Sequence, residues 1–517
     1  MRSVRLLLPL LLVLMSAAPA AASSGEDEWK SKTTILFDRF ALNLGGELRF
    51  IGGRIGEIGV ELADPNRADR IPTEGFLTYR LRWTPSLVWK PDHKIIRKVA
   101  IVTEVDFLDG TIVAGDGRDV LEHADRARIS QDAFSKDNIH LGEAYLAFGG
   151  PFFGIRVGRQ LSNWGLGMLA NNGHNARDEF GYRSGGDVAE RLVISIKPLQ
   201  FATREKWGQS LSINLTGDYV ANDVFADRHD GDQAWQGLVS LHWHGDLGQA
   251  GAYYVCRWQE NDLGDETRVH IVDVFLDMTF KAGDVALGIA GEWAGVYGRT
   301  EMPRNTVYDK GVDIRTSALV ARAKLTHKWF NVTFDVGRAG GDQDAFDGTH
   351  HSFTMNPNYR VGLLLFPEVM KATTAVTAFN MADPTYAGSP PRGFDVIPTN
   401  GGVSNAIYAF PRITGTFPHL DLSVGFLVAR AEVPLVDPYQ AAIMGGAATG
   451  PRGGPASKDL GYEVDIAAKT QWELGGWVLL TAALEYAYWR PGSSFSDVTG
   501  AKPDGVHLVQ GRLHLQW

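Results

Sequence analysis

Hydrophobic and polar residues alternate with a period of two over most of this chain. Leu77, Tyr79, Leu81, Trp83, Leu87 and Trp89 share one side of an extended segment, and Thr78, Arg80, Arg82, Thr84, Ser86 and Lys90 share the other. A period of two with one apolar and one polar face is the pattern of a half-buried strand. Phe40, Leu42, Leu44, Leu48 and Phe50 alternate in the same way with Arg39, Asn43, Glu47 and Arg49. The pattern continues through 99–107, 139–148, 153–160, 191–199, 210–221, 235–243, 250–259, 268–281, 284–297, 314–326 and 330–337. It resumes at 359–366, 406–414, 420–430, 461–472 and 477–489. A weaker segment, 371–379, fits a strand or a short helix. The chain closes on Val509, Gly511, Leu513, Leu515 and Trp517 against Gln510, Arg512, His514 and Gln516, a strand suited to pair with the first and shut the sheet.

The connections alternate in length. Those at 91–94, 149–151, 246–249, 281–284 and 474–476 are tight, whereas 110–138, 165–190, 340–357, 382–403 and 432–458 are long and rich in Gly, Pro and Asp. Many strands of about ten residues, joined alternately by short turns and long loops, are the signature of a transmembrane antiparallel β-barrel. Aromatic residues at the ends of the apolar faces, including Trp89, Trp164, Trp243, Trp258, Trp329, Trp477 and Trp517, suit a membrane–water boundary. A soluble propeller or stacked sandwich explains neither feature. The all-β barrel is expected to hold about 18–20 strands: 20 if 371–379 is an upward strand between 359–366 and 406–414, and 18 if that weak pair is lost. A barrel of this size leaves an aqueous lumen.

The amino end carries a basic run to Arg5, an apolar run from Leu6 to Met15 and a small-residue stretch to Ala22. This predicts a signal peptide over 1–22, a short periplasmic segment over 23–34 and an outer-membrane barrel over 35–517. After it, no apolar run approaches the roughly 20 residues of a membrane helix. One cysteine, Cys256, excludes an internal disulfide framework, and it falls on the lipid face of its strand. The net charge of −10 argues against a nucleic-acid partner.

Alternation points to the lumen as the place for chemistry. It predicts Arg39, Arg49, Arg80, Arg82, Glu104, Asp106, Arg156, Arg257, Asp273, Asp277, Glu292, Arg322, Lys324, Arg360, Glu463, Asp465 and Arg512 as pore-lining. Closure sets the last strand beside the first two, so Arg39, Arg49, Arg80, Arg82 and Arg512 form a basic wall, with Glu104 and Asp106 beginning an acidic stretch beside it. Opposed charge on facing walls orders polar solutes in a pore. The plainer reading is cross-strand pairing that stiffens the wall.

Three stretches carry a family resemblance. Gly142-Glu-Ala-Tyr-Leu-Ala-Phe148, a turn, and Phe153-Gly-Ile-Arg-Val-Gly-Arg-Gln160 resemble a strand pair of alginate-export-type outer-membrane porins. Leu460-Gly-Tyr-Glu-Val-Asp465 and Leu484-Glu-Tyr-Ala-Tyr-Trp-Arg-Pro-Gly492 resemble two of their later strands. The chain is also similar to uncharacterised bacterial barrels of this length. The resemblance implies a monomeric barrel of about 18 strands that passes a polar or saccharide solute. The mixed signs of this lumen do not match the arginine lining those exporters use for a polyanion.

These readings converge on a porin-like passive channel in the bacterial outer membrane. It would contact outer-membrane lipid and engage the barrel-assembly machinery through its C-terminal strand. The alternative is a non-conducting barrel that displays its long loops for adhesion or partner binding. No cofactor or metal is expected. The acidic loops with Asp227, Asp230 and Asp232, and with Asp342, Asp344 and Asp347, could offer oxygens to Ca²⁺, but neither has EF-hand spacing. His350-His351 lacks a partner at metal-ligand spacing, and no G-x-S-x-G motif points to a hydrolase, so no enzymatic activity is expected.

Overall fold

The computed structural model describes residues 34–59, 74–113, 139–174, 179–182, 185–203, 210–302, 310–343, 347–382 and 397–517. The predicted signal peptide, most of the periplasmic segment and the loop after residue 113 lie outside the described residues. Twenty strands form one sheet, of which Thr34–Phe37 and Thr349–His350 are short additions, and the remaining 18 make the wall. In chain order these are β1 (Phe40–Ile55), β2 (Glu74–Trp89), β3 (Lys98–Val113), β4 (His140–Gly149), β5 (Phe153–Leu161) and β6 (Val188–Ile196). Next come β7 (Leu211–Asn222), β8 (Gln233–Gly245), β9 (Gly248–Glu260), β10 (Glu266–Ala282), β11 (Val285–Thr300) and β12 (Val312–His327). The last are β13 (Phe330–Ala339), β14 (Ala406–Phe417), β15 (Leu420–Leu435), β16 (Ser457–Leu474), β17 (Val478–Pro491) and β18 (Val506–Gln516).

Every neighbouring pair in the wall is antiparallel, and β1 pairs with β18 from Glu47–Gln516 to Ile55–Leu508. The final strand therefore closes the sheet, as its sequence predicts. Beyond it, the Gly46 N–H donates to the Trp517 carbonyl at 3.1 Å and the Trp517 N–H returns a bond to Gly46 at 3.0 Å. Gly46 is needed there, because a Cβ at this position would meet the Trp517 ring at 2.5 Å.

The outward positions carry the apolar face. Leu192, Leu215, Val239, Val274, Trp293, Leu319, Val424 and Leu484 are all exposed on it. Along β11, the outward residues from Val285 to Tyr297 span roughly 30 Å, taking ~3.3 Å per residue and a tilt of ~40°. That matches the hydrocarbon core of a bilayer. Cys256 lies on this face, 3.4 Å from His270 Nδ1, as its parity predicts.

Two predicted strands are absent. Residues 359–366 lie inside the barrel, and 371–379 belong to the helix α1 (Lys371–Ala382), entered through a π-helical turn at Leu365–Met370. The wall accordingly has 18 strands rather than 20. Alternating Thr and apolar residues misled the period count because this segment is buried on all sides. Val361, Leu363, Leu364, Leu365, Phe366, Val369, Met370, Ala372 and Val376 are at most 3% exposed. The threonines fit a buried helix by bonding back to its carbonyls: Thr373 to Val369 at 2.7 Å, Thr374 to Met370 at 2.8 Å and Thr377 to Thr373 at 3.0 Å. Above α1 sits the short helix α2 (Pro438–Ile443), whose N-cap Asp437 also accepts a bond from Thr377.

Candidate functional site: the lumen

Two connections fold into the barrel. The first runs through the described parts of 162–187, and the second through 353–382, including α1, and 397–403. A polypeptide in a lumen needs partners for its backbone N–H groups. Here carboxylates on the wall strands supply them. Both Glu463 oxygens accept from the second segment, with the Leu363, Leu364 and Leu365 N–H groups at 2.6, 2.8 and 2.7 Å. Gly362 allows this approach; its φ is +74°, and a Cβ there would lie 2.8 Å from a Glu463 oxygen.

The first segment is held by the same device. Glu292 accepts from the Leu166 and Met168 N–H groups, and Asp273 accepts from Trp164 Nε1 at 2.9 Å. Glu104 lies 2.8 Å from His174 Nε2, and Glu485 accepts from the Gly181 N–H at 3.1 Å. The segments also bind each other: Asp187 accepts from the Asn171 N–H and from Asn356 Nδ2, each at 2.9 Å. Burial, reinforced by the nearby Asp223 carboxylate, pushes the Asp187 carboxyl up to about 8.

The basic residues of the seam face the lumen but do not present free charge. Arg80 binds Glu47 through Nε at 2.8 Å. Arg82 makes a two-pronged contact to Asp106 at 2.6 and 2.8 Å and reaches Glu104 at 2.9 Å. Arg512 pairs with Glu485 at 3.1 Å and donates to the Gly181 carbonyl, and Arg49 lies over the Tyr182 ring at 5.1 Å. The expected basic wall is thus a charge-paired wall. Arg39 does not belong to it: it sits in the turn before β1, 3.6 Å from Asp92. Arg360 is on the second inward segment rather than on a strand, its guanidinium 4.7 Å from the Tyr182 centroid.

Elsewhere on the wall Arg322 binds Asp335 at 2.6 Å, and Lys324 lies 3.9 Å from Glu179 on the first segment. Asp277 faces inward near the turn end of β10, beside Ala290 of β11. Asp465 is fully buried next to Glu463.

The inward segments fill the side of the lumen formed by β12–β18 and β1–β3. Along β4–β12 they leave a cavity of about 650 Å³. Of the residues predicted to line the pore, Arg156 and Arg257 reach this space. Arg156 is exposed to it beside Tyr145, whereas Arg257 is held by Asp223. Arg191 also lines it, bound to Asp218 at 2.7 Å. An aromatic face completes the lining. Trp164 meets Tyr253 edge-on at 4.8 Å and Phe275 at 5.0 Å, and His242 stacks on Phe275 at 5.9 Å.

Trp164 is therefore a lumen residue, not part of the membrane-boundary ring where its loop-end position had placed it. Strand parity marks Tyr253 and Phe275 as inward, but nothing local marks Trp164. The acidic loops bind their own backbone. Asp227 accepts from the His229 N–H at 2.8 Å, and Asp342 from the His351 N–H at 3.2 Å. No group of three metal-binding side chains occurs among the described residues.

A closed antiparallel wall, apolar outside and charged within, defines a membrane-spanning β-barrel. Neither a family model nor a curated relative matches the sequence. Among solved structures the fold is similar to Pseudomonas aeruginosa OccK5 (OpdH), at 10% identity and a TM-score of 0.44, covering 92% of this chain and 97% of that one. It is also similar to Acinetobacter baumannii OccAB1, at 10% identity and a TM-score of 0.45, covering 95% of this chain and 99% of that one. Pseudomonas aeruginosa OccK11 (OpdR) is 11% identical with a TM-score of 0.43, covering 92% and 95%. None of these three is named as an alginate-export barrel.

Proposed function

We propose that this protein is a monomeric, porin-like channel of the bacterial outer membrane that passes small polar or saccharide solutes passively. The observation that carries the reading is the cavity of about 650 Å³ left along β4–β12 when the rest of the lumen is filled. Its volume falls within the range of small-molecule sites, roughly 300–1,000 Å³. Its lining combines Arg156, Arg191 and Arg257 with Glu143 and Asp223, so a solute meets basic and acidic side chains beside an aromatic face. Such a lining favours polar solutes with an apolar ring face over a single strongly charged polymer. The C-terminal strand, which closes the wall, is the segment we assign to engagement with the assembly machinery.

The test is conductance in a planar bilayer. Purified protein should give discrete ohmic steps smaller than an unobstructed 18-stranded lumen allows. A barrel that never conducts, even after the anchor of the second segment is removed at Glu463, would transfer the reading to loop display.

A further inference from the structure

The two edges of the lipid-facing surface differ in charge. Toward the loop end of six strands the outward side chains include Arg54, Arg268, Arg299, Arg315, Arg430 and Arg490, all exposed, with Glu266, Asp313 and Glu432 one outward position beyond Arg268, Arg315 and Arg430. Toward the turn end of the same strands the outward positions include Phe40, Phe280, Val285, Leu325, Leu420 and Val478, with Ala282 beyond Phe280 and His327 beyond Leu325. No arginine stands among these. On β10, β11 and β17 each arginine lies one outward position beyond a ring residue, namely His270, Tyr297 and Tyr488.

Carboxylates offset only part of this charge. Arg268 has Glu266 at 2.7 Å and Arg299 has Asp313 at 3.3 Å, with all four side chains exposed. Arg54, Arg315, Arg430 and Arg490 have no carboxylate within ion-pair distance among the described residues, although Asp459 stands opposite Arg430 in the β15–β16 register. Arg268 and Arg299 also stand directly opposite each other in the β10–β11 register. Like charges at directly opposed positions repel, and an anion between them removes that cost. Below Arg268 an apolar groove of about 790 Å³ opens on the lipid face, bounded by Tyr219 and Trp235. Their rings pack at 4.4 Å, and no neighbour fills the space above Gly217 and Gly237.

We propose that this arginine edge binds the anionic phosphate of a lipid in the membrane leaflet on the loop side, with an acyl chain lying in the groove beneath Arg268. Arginine suits the partner because its planar fork matches phosphate oxygens in a two-pronged contact. A second copy of the chain fits less well, since its own arginine edge would face this one. The inference rests on the membrane-spanning reading and is independent of whether the lumen conducts.

The experiment measures lipid retained by the full-length protein, by native mass spectrometry from detergent containing phosphatidic acid or phosphatidylcholine. Wild type should retain phosphatidic acid preferentially, as a complex of one barrel. The variant Arg54→Ser, Arg315→Ser, Arg430→Ser, Arg490→Ser should lose that preference by roughly tenfold or more, since one arginine beside an anionic leaflet is worth about a fivefold change in partition. Replacing the same four residues with Lys should recover much of it. Gly237→Leu, which fills the groove with a lipid-compatible side chain, should lower retention while leaving the arginines in place. Fold is checked by β-sheet circular dichroism. Equal retention of both lipids by wild type, or unchanged retention in the serine variant, would overturn the proposal. A wild-type mass of two or three barrels without lipid would also overturn it, in favour of self-association.

Discussion

Glu463 provides the sharpest test of how the lumen is narrowed. Its two oxygens take three buried N–H groups, from Leu363, Leu364 and Leu365, at 2.6–2.8 Å. Glu463→Leu leaves those donors without an acceptor, at about 1–3 kcal/mol each, or roughly 3–9 kcal/mol in total. The substitution also removes a desolvated charge beside the buried Asp465, which returns several kcal/mol. A net loss of about 3 kcal/mol is expected, and at ~1.4 kcal/mol per decade this shifts the docking equilibrium of the second segment roughly 100-fold toward release. Single-channel conductance should rise, and residues 353–382 should become open to limited proteolysis. Glu463→Gln keeps one acceptor oxygen and should give a smaller change. If Glu463→Leu shows wild-type conductance and wild-type protection of 353–382 while remaining folded, the carboxylate does not hold the segment and the reasoning fails.

Arg80→Ser with Arg82→Ser should destabilise the barrel by about 3–5 kcal/mol, because it strands the buried Glu104 and Asp106 and the largely covered Glu47; the reversal potential should barely move. Arg156→Ser, at the cavity surface, should instead shift the reversal potential toward cations in dilute salt with little change in stability. Leu81→Arg on the lipid face should cost roughly 2–4 kcal/mol in reversible folding into lipid, and Thr84→Arg on the lumen side much less; equal costs would contradict the face assignment. Burial pushes the Asp187 carboxyl from its ordinary 3.8 up to about 8, so its stabilising contribution is complete below about pH 4 and is lost as pH rises through 8. Asp187→Asn should therefore flatten the fall in melting temperature over that window, and parallel curves for the two proteins would remove Asp187 as the cause.

The period of two determined the wall. Strand faces follow from it directly, because a strand between lipid and water must place apolar and polar side chains on opposite sides. Arg49, Arg80, Arg82, Glu104, Asp273, Glu292 and Glu463 could be assigned inward from parity alone, and closure by the last strand was legible in its unbroken pattern to Trp517. The contents of the lumen were not. Inside the barrel a segment touches protein on every side, so residues 359–379 carry no amphipathic period to separate helix from strand. Their alternating Thr and apolar residues imitated one. The role of the inward charges was equally hidden. Parity shows that Glu463 and Glu292 point inward, but only the folded loops reveal that they receive backbone N–H groups instead of meeting solute. Arg80 and Arg82 were legible as a basic stripe, and the tertiary structure alone brought Glu47 and Asp106 close enough to neutralise it. Local pattern decides which face a side chain takes, whereas what occupies the space beyond that face depends on contacts between residues hundreds of positions apart, such as Gly181 and Glu485.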